Sequence, residues 1–307
     1  MKNEEVLKNC IVLTGPMSVG KSLVSSELSK KTGMEVVSID DVLGFAYAEL
    51  YYGLHAEPNY LSRFYKTTLN TELKRQKKTS NLSLEELEEQ ITQRIDNYID
   101  EYIRLKFLFG SFEEVFPILK RYYRIFNGCS NLNADTCLAL FQEKSTLALD
   151  VISKKLKQPV IIDTPAFLGW KIPDFNFRES DTKSLSRLSY HETPQSIEKA
   201  TRKILDKFGP KIFLTPGLDY SKRQNVDSTT NFILLDLIDQ YAEYADIEVS
   251  VNNMFYDEND ESLKIREWFN AESHNKRETL KNNSELSNIC DSILSRIEEL
   301  NNQKSMQ

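Results

Sequence analysis

Short apolar runs alternate with longer amphipathic stretches along this chain. Cys10 to Thr14 is an apolar run closed by Gly15, which predicts a buried parallel strand. From Ser22 to Thr32, Leu23, Val24 and Leu28 recur at helical spacing, and two lysines followed by Gly33 mark a helix end. Met34 to Ile39 is a second buried run. Strand, glycine loop, helix and strand make a βαβ unit.

The next strand signal, Pro159 to Ile162, comes more than a hundred residues later. That interval is too patterned for a loop and too long for one crossover helix. Ser83 to Phe109 opens with a capping box, S-L-E-E, and Gly110 ends it. Leu84, Leu87, Ile91, Ile95, Ile99 and Ile103 are expected on one stripe of this helix. Asp135 to Lys157 carries Leu138, Phe141, Leu149, Ile152 and Leu156, with lysines at its C-terminal end. Residues 44–157 therefore read as a helical insertion after the second strand, and 1–43 with 158–281 as the core. Within that core, 165–193 is irregular, Pro194 to Phe208 is helical, and PKIFLTPG supplies a strand. Asn231 to Tyr244 reads as a helix and Asp246 to Val251 as a strand. Residues 282–307 form a last amphipathic helix with Leu286, Ile289, Ile293, Ile297 and Leu300, and NNQKSMQ is expected to be disordered.

Composition narrows the function classes. The 307 residues include 46 acidic and 39 basic ones, for a formal net charge of -7. An acidic chain argues against wrapping long nucleic acid, and KRQKK at 74–78 reads as a solvated linker. The four cysteines, Cys10, Cys129, Cys137 and Cys290, lack metal spacing and read as buried thiols of a reducing compartment. No apolar leader and no spanning run is seen, so no membrane partner and a cytoplasmic location are expected.

The chemistry concentrates in GPMSVGKS, Gly15, Pro16, Met17, Ser18, Val19, Gly20, Lys21 and Ser22. It fills every fixed position of G-x-x-x-x-G-K-[ST], between a strand and a helix. Glycines let backbone N–H groups converge on phosphate oxygens, and the helix N-terminus adds partial positive charge. Lys21 is the expected partner of β- and γ-phosphates, and Ser22 offers a hydroxyl to Mg²⁺. Asp40 and Asp41 follow Lys21 by nineteen and twenty residues and are candidates for meeting an acceptor hydroxyl. Helix capping is the competing reading for either. VIIDTP resembles a Walker-B strand, with Asp163 a candidate for the Mg²⁺ shell. Threonine rather than glutamate follows it, which argues for transfer to an acceptor over water activation.

These segments resemble the small-molecule and nucleotide kinase branch of the P-loop NTPase superfamily: shikimate kinases, zeta-toxin-like kinases and polynucleotide 5′-kinases. The resemblance covers roughly 10–45, 158–170 and 205–255. It implies an α/β fold, a parallel sheet flanked by helices, here with the large helical insertion. In that branch an aspartate closes the second strand at the spacing of Asp40 and Asp41. The D-x-D of shikimate kinases would fall on Ser38 and Asp40, and its first aspartate is absent. The paired aspartates of polynucleotide kinases fall on Asp40 and Asp41 and would make Asp41 the base. Asp163 followed by Thr164 is similar to the matching strand end of polynucleotide and zeta-like kinases. The branch also brings a lid cation to the phosphate; Arg223 and Lys222 are the candidates, with Arg202 behind them. His191, Tyr47, Tyr51, Tyr52 and Arg63 are weaker candidates for the acceptor pocket.

The expected activity is an ATP- or GTP-dependent, Mg²⁺-dependent kinase acting on a hydroxyl of a small molecule, nucleotide or nucleotide sugar. Two alternatives stand beside it. One is a prenyl transferase acting on transfer RNA, which shares a similar loop. The other is a nucleotide-binding protein without turnover that engages a protein partner through the insertion.

Overall fold

The computed structural model describes residues 3–15, 19–52, 67, 69–71, 73–74, 83–117, 119–120, 134–164, 194–215, 245–251 and 284–305. The chain divides into two compact units, Met1–Asp40 with Ile125–Gln307, and Asp41–Arg124. The first holds five strands: β1 (Ile11–Thr14), β2 (Glu35–Ser38), β3 (Val160–Asp163), β4 (Lys211–Thr215) and β5 (Ile247–Ser250). All pairings are parallel, in the order β2-β3-β1-β4-β5. The helices are α1 (Asn3–Lys8), α2 (Lys21–Thr32), α3 (Ile39–Tyr52), α4 (Leu84–Phe109), α5 (Ala134–Lys155), α6 (Pro194–Leu205) and α7 (Ser284–Ser305). The α/β class and parallel sheet expected from the sequence are thus present.

Strands buried on both faces explain the unbroken apolar runs. Ile11, Leu13, Ile161, Ile212, Leu214, Ile247 and Val249 join Val24 and Leu28 of α2 and Leu286, Ile289 and Ile293 of α7 in one core. Val12, Val160, Ile162 and Phe213, the alternate positions, are buried as well. Right-handed crossovers explain the division. The step from β1 to β2 runs opposite to the steps from β2 to β3 and from β3 to β4. Its helix, α2, therefore takes one face with α7, while α5 and α6 pack on each other.

Helix α2 has few apolar residues, yet it is enclosed between the sheet and α7. Its hydroxyls bond locally. Ser25 donates to the Ser22 carbonyl at 3.1 Å, Thr32 to that of Leu28 at 2.8 Å and Ser29 to that of Met34 at 2.7 Å. Polar side chains that satisfy themselves on nearby backbone can be buried at small cost. Gly33 ends the helix at φ 71°.

Several elements differ from the expectations. The second strand stops at Ser38, and Ile39, Asp40 and Asp41 form the first turn of α3. Helix α5 lies in the same unit as the sheet, although 44–157 reads as one insertion; it is the crossover that a parallel β3 requires. The final helix continues through Ser305, so 301–305 are helical where a disordered end was expected. Residues 165–193 and 216–244, with the expected helix at 231–244, lie outside the described residues, as do 75–78.

Asp41–Arg124 forms its own small core. Ser83 caps α4, donating and accepting with Glu86 in the expected box, and Gly110 ends it. The expected stripe is only partly buried: Leu87, Ile91 and Ile95 are inside, whereas Leu84 and Ile103 are about half exposed. A strict four-residue repeat drifts about 40° per step on a helix of 3.6 residues per turn. By Tyr102, Leu105 and Phe109 the buried face has moved round. Glu49 of α3 is fully buried, accepting from Tyr102 Oη at 2.8 Å and Phe112 N–H at 3.1 Å, with Lys106 Nζ 3.3 Å away. Among the described residues no helix is long and apolar enough to cross a membrane.

The tightest backbone approach is at Gly209, whose N–H donates to the Leu7 carbonyl at 2.9 Å. A Cβ there would lie 2.3 Å from the Cys10 carbonyl oxygen and 2.4 Å from that of Lys8. Gly209→Ala is expected to destabilise the fold by about 2–3 kcal/mol, the range of overpacking with backbone shift. Gly33→Ala, in open space at positive φ, should cost only about 1 kcal/mol. Urea unfolding of both variants checks the order; a Gly209→Ala protein as stable as wild-type overturns it.

Candidate functional site

Parallel register brings the site together. Leu13 of β1 lies opposite Asp163 of β3, which lies opposite Ser38 of β2. The Thr164 N–H donates to the Leu13 carbonyl at 3.0 Å and extends this alignment past the strand ends. Gly15, Asp163 and the start of α3 thus leave the sheet at one edge. It is also the edge where the helix after β1 and the helix after β3 go to opposite faces. Ligands of open α/β sheets bind in such crevices, outside the carboxyl ends of the strands.

The loop from β1 to α2 is shaped by two glycines. Gly15 has φ 148°, and a Cβ there would lie 2.7 Å from the Leu214 carbonyl oxygen. Gly20 occupies the cap position of α2 at φ 105° and offers no side-chain acceptor. No acidic residue stands in the first turn of α2. The helix therefore presents its N–H groups and partial positive charge uncapped by its own side chains. Between the glycines, Val19 is buried in the main core and anchors the loop. Pro16, Met17 and Ser18 lie outside the described residues.

Lys21 and Ser22 are the first two residues of α2. The half-buried Lys21 donates from Nζ to the Gly15 carbonyl at 3.1 Å, across the loop. Ser22 Oγ donates to Asp163 Oδ2 at 3.0 Å. Burial pushes the Lys21 ammonium below the usual lysine range, against the pull of Asp163 and Asp40. Burial also pushes the Asp163 carboxyl up; Lys21 and the Ser22 hydroxyl pull it back, and Asp40 raises it again. The structure therefore brings Lys21, Ser22, Asp163 and Asp40 into one electrostatic cluster.

Asp40 and Asp41 are both exposed, in the first turn of α3. The residue before that helix is Ser38, so neither aspartate holds the position that precedes a helix. Acidic residues in a first turn are favoured by the helix dipole, which accounts for the pair without function. Asp40 acts on Lys21 and Asp163 besides. Asp41 follows it, about 100° further round the helix.

A cation missed by the sequence reading also belongs here. Lys144 of α5 is half-buried; burial lowers its ammonium and the Asp40 charge raises it. The signal was present, since QEKST at 142–146 interrupts an otherwise apolar helix. Ser145 takes the stripe position between Phe141 and Leu149, and it is fully buried. Arg202 is ion-paired with Glu198, one turn away on its own helix. Arg223, Lys222, His191 and Arg63 lie outside the described residues, as do the side chains of Tyr47, Tyr51 and Tyr52. Cys10 and Cys290 are buried, as expected of structural thiols; burial raises both, Cys290 to about 12. No group of three or more His, Cys, Asp or Glu is placed to hold a metal among the described residues.

The direction of the Asp163 shift fixes a stability test. A carboxyl raised on folding takes its proton back sooner in the native chain. Its charge therefore costs stability at neutral pH and nothing below the unfolded value near pH 4. Asp163→Asn keeps an acceptor for Ser22 and removes that charge. It should melt about 2 °C or more above wild-type at pH 7, with the gap closing as pH falls towards 4. Paired melts across pH check this, and a variant melting several degrees lower at pH 7 overturns it.

No family model and no curated protein matches the chain.

Proposed function

We propose that this protein is a P-loop kinase that transfers the γ-phosphoryl group of a nucleoside triphosphate, with Mg²⁺, to a hydroxyl acceptor. The observation that carries the reading is the Ser22–Asp163 hydrogen bond beside Lys21, at an uncapped helix N-terminus. A hydroxyl and a carboxylate 3.0 Å apart offer two hard oxygen donors on one side of a lysine. Mg²⁺ takes one or two protein oxygens and completes its shell with phosphate and water oxygens, so the donor set fits it.

Each residue has a physical task in this reading. The loop from Gly15 to Gly20 and the first N–H groups of α2 bind the phosphates. Lys21 exchanges its bond to the Gly15 carbonyl for a phosphate oxygen and offsets the charge that spreads over the moving phosphoryl group. Ser22 and Asp163 are the residues that would hold Mg²⁺, which when bound would neutralise part of the phosphate charge. Asp40 is the favoured partner of the acceptor hydroxyl: it orients the oxygen and accepts its proton as the new P–O bond forms. Asp41, favoured by the paired-aspartate resemblance, is the alternative base. Thr164 is fully buried and bonded through its N–H to β1, so no carboxylate stands there to activate water.

Lys21, at a helix N-terminus with no acidic residue in its first turn, suits this edge to a phosphate. A charge withdrawn from water is unfavourable unless partnered. An incoming phosphate gives Lys21 a partner stronger than a neutral carbonyl.

Lys21→Met should lose triphosphate binding and lower phosphoryl transfer by at least about 100-fold, on the scale of losing one charge-stabilising donor. Its circular dichroism should match wild-type. The measurement is calorimetry with ATP·Mg²⁺ and GTP·Mg²⁺, followed by γ-phosphate release and transfer to a panel of alcohols. Wild-type activity in the Lys21→Met protein excludes the kinase reading. Transfer of a prenyl group without triphosphate turnover replaces it with the alternative chemistry.

A further inference from the structure

The polar turn of α5 is placed at the edge where the site lies. Helix α5 descends to Lys155 before the chain turns into β3. Lys144 stands eleven residues before that end, roughly 16 Å up the axis at 1.5 Å per residue. The four residues of β3 rise roughly 13 Å on the way to Asp163. Lys144 is therefore level with the carboxyl end of the sheet.

The rotation of this turn is fixed independently. Gln142 Nε2 donates to Thr201 Oγ1 of α6 at 3.0 Å, and Thr146 Oγ1 lies 2.6 Å from the same oxygen. Thr201 Oγ1 also donates to the Ile197 carbonyl at 2.9 Å, so the network is anchored on α6. Gln142 and Thr146 are one turn apart and share the α6 face. Lys144, midway between them, leaves the helix on the opposite side, about 200° from each. Asp40, two residues past the carboxyl end of β2, stands at that same end of the sheet, and its charge acts on the Lys144 ammonium. A solvated helix lysine would be exposed, whereas Lys144 is half-buried.

We propose that Lys144 is a positioning residue of the phosphoryl-transfer site, holding the Asp40 carboxylate against the acceptor. This rests on the kinase reading for its consequence, although the pairing itself does not. A first-turn aspartate on an exposed helix end has free rotamers, and a fixed cation beside it narrows them. Lys21 and Lys144 then have separate tasks: one serves the donor phosphates and the other the acceptor carboxylate.

The test has two parts, both on the full chain. In the first, lysines are ¹³C-dimethylated and the Lys144 resonance is identified by its loss in Lys144→Arg. It should titrate below an ordinary lysine, and Asp40→Asn should move it lower still. A Lys144 titration indifferent to Asp40→Asn overturns the pairing, whatever the activity. In the second part, γ-phosphate release from ATP is measured with water in the acceptor's place. Lys144→Met should lower kcat about tenfold, with KM for ATP·Mg²⁺ within about twofold of wild-type. Lys144→Arg should recover part of kcat, and in the Asp40→Asn background Lys144→Met should cost nothing more. A loss that multiplies with that of Asp40→Asn overturns the positioning role. A wild-type chain that binds no triphosphate counts against the kinase reading alone, and the titration then decides the pairing.

Discussion

The hydrogen bond from Ser22 to Asp163 joins residues 141 positions apart, and the site depends on it. It exists because β1 and β3 are neighbours in register, with Leu13 opposite Asp163. A slip of one residue would turn Asp163 to the other face of the sheet and bury Ile162 in its place. The apolar alternation of the strands therefore does more than fill a core. By fixing register it fixes where a carboxylate meets a helix end.

Around that bond the molecule keeps charges in places where burial opposes them. Lys21 and Asp163 are each displaced from their ordinary titration by burial, in opposite directions. Neither is fully compensated by the other. Charged pairs withdrawn from water commonly fail to recover their desolvation, and apolar replacements often stabilise a fold. Glu49 is the contrast: equally buried, it receives a hydroxyl, a backbone N–H and a lysine. One carboxylate is satisfied as a structural tie, and the other keeps coordination capacity. That difference in satisfaction separates a scaffold acid from a candidate ligand site.

Legibility in the sequence followed the range of the forces involved. β1, α2 and the cap of α4 were readable because each depends on residues within a few positions. The place of α5 was not, because its polar turn and its packing on Thr201 are tertiary facts. Lys144 was missed with it, hidden inside a stretch read as insertion. The setting of the Asp40–Asp41 pair was not legible either: Ile39 continues the apolar run of β2 while its backbone has already become helical. Burial of Ile39 serves both structures equally, so hydropathy could not mark the boundary. The lid candidates Lys222 and Arg223 lie outside the described residues, where only the resemblance speaks.

The strand order carries a consequence for how the chain acquires its shape. The first forty residues look like a self-sufficient βαβ unit, yet β1 and β2 share no hydrogen bond. Both pair with β3, which begins at Val160, and β1 also pairs with β4, which begins at Lys211. As synthesis proceeds from the N-terminus, two apolar strands emerge early with no described partner within reach. They must stay unpaired until more than a hundred further residues have followed. Late, long-range closure of this kind slows folding and leaves sticky edges exposed. Asp41–Arg124, compact by itself, can consolidate during that wait. The segment between β2 and β3 then sets the timing of assembly, and the edge that carries Gly15 and Asp163 is among the last parts of the molecule to exist.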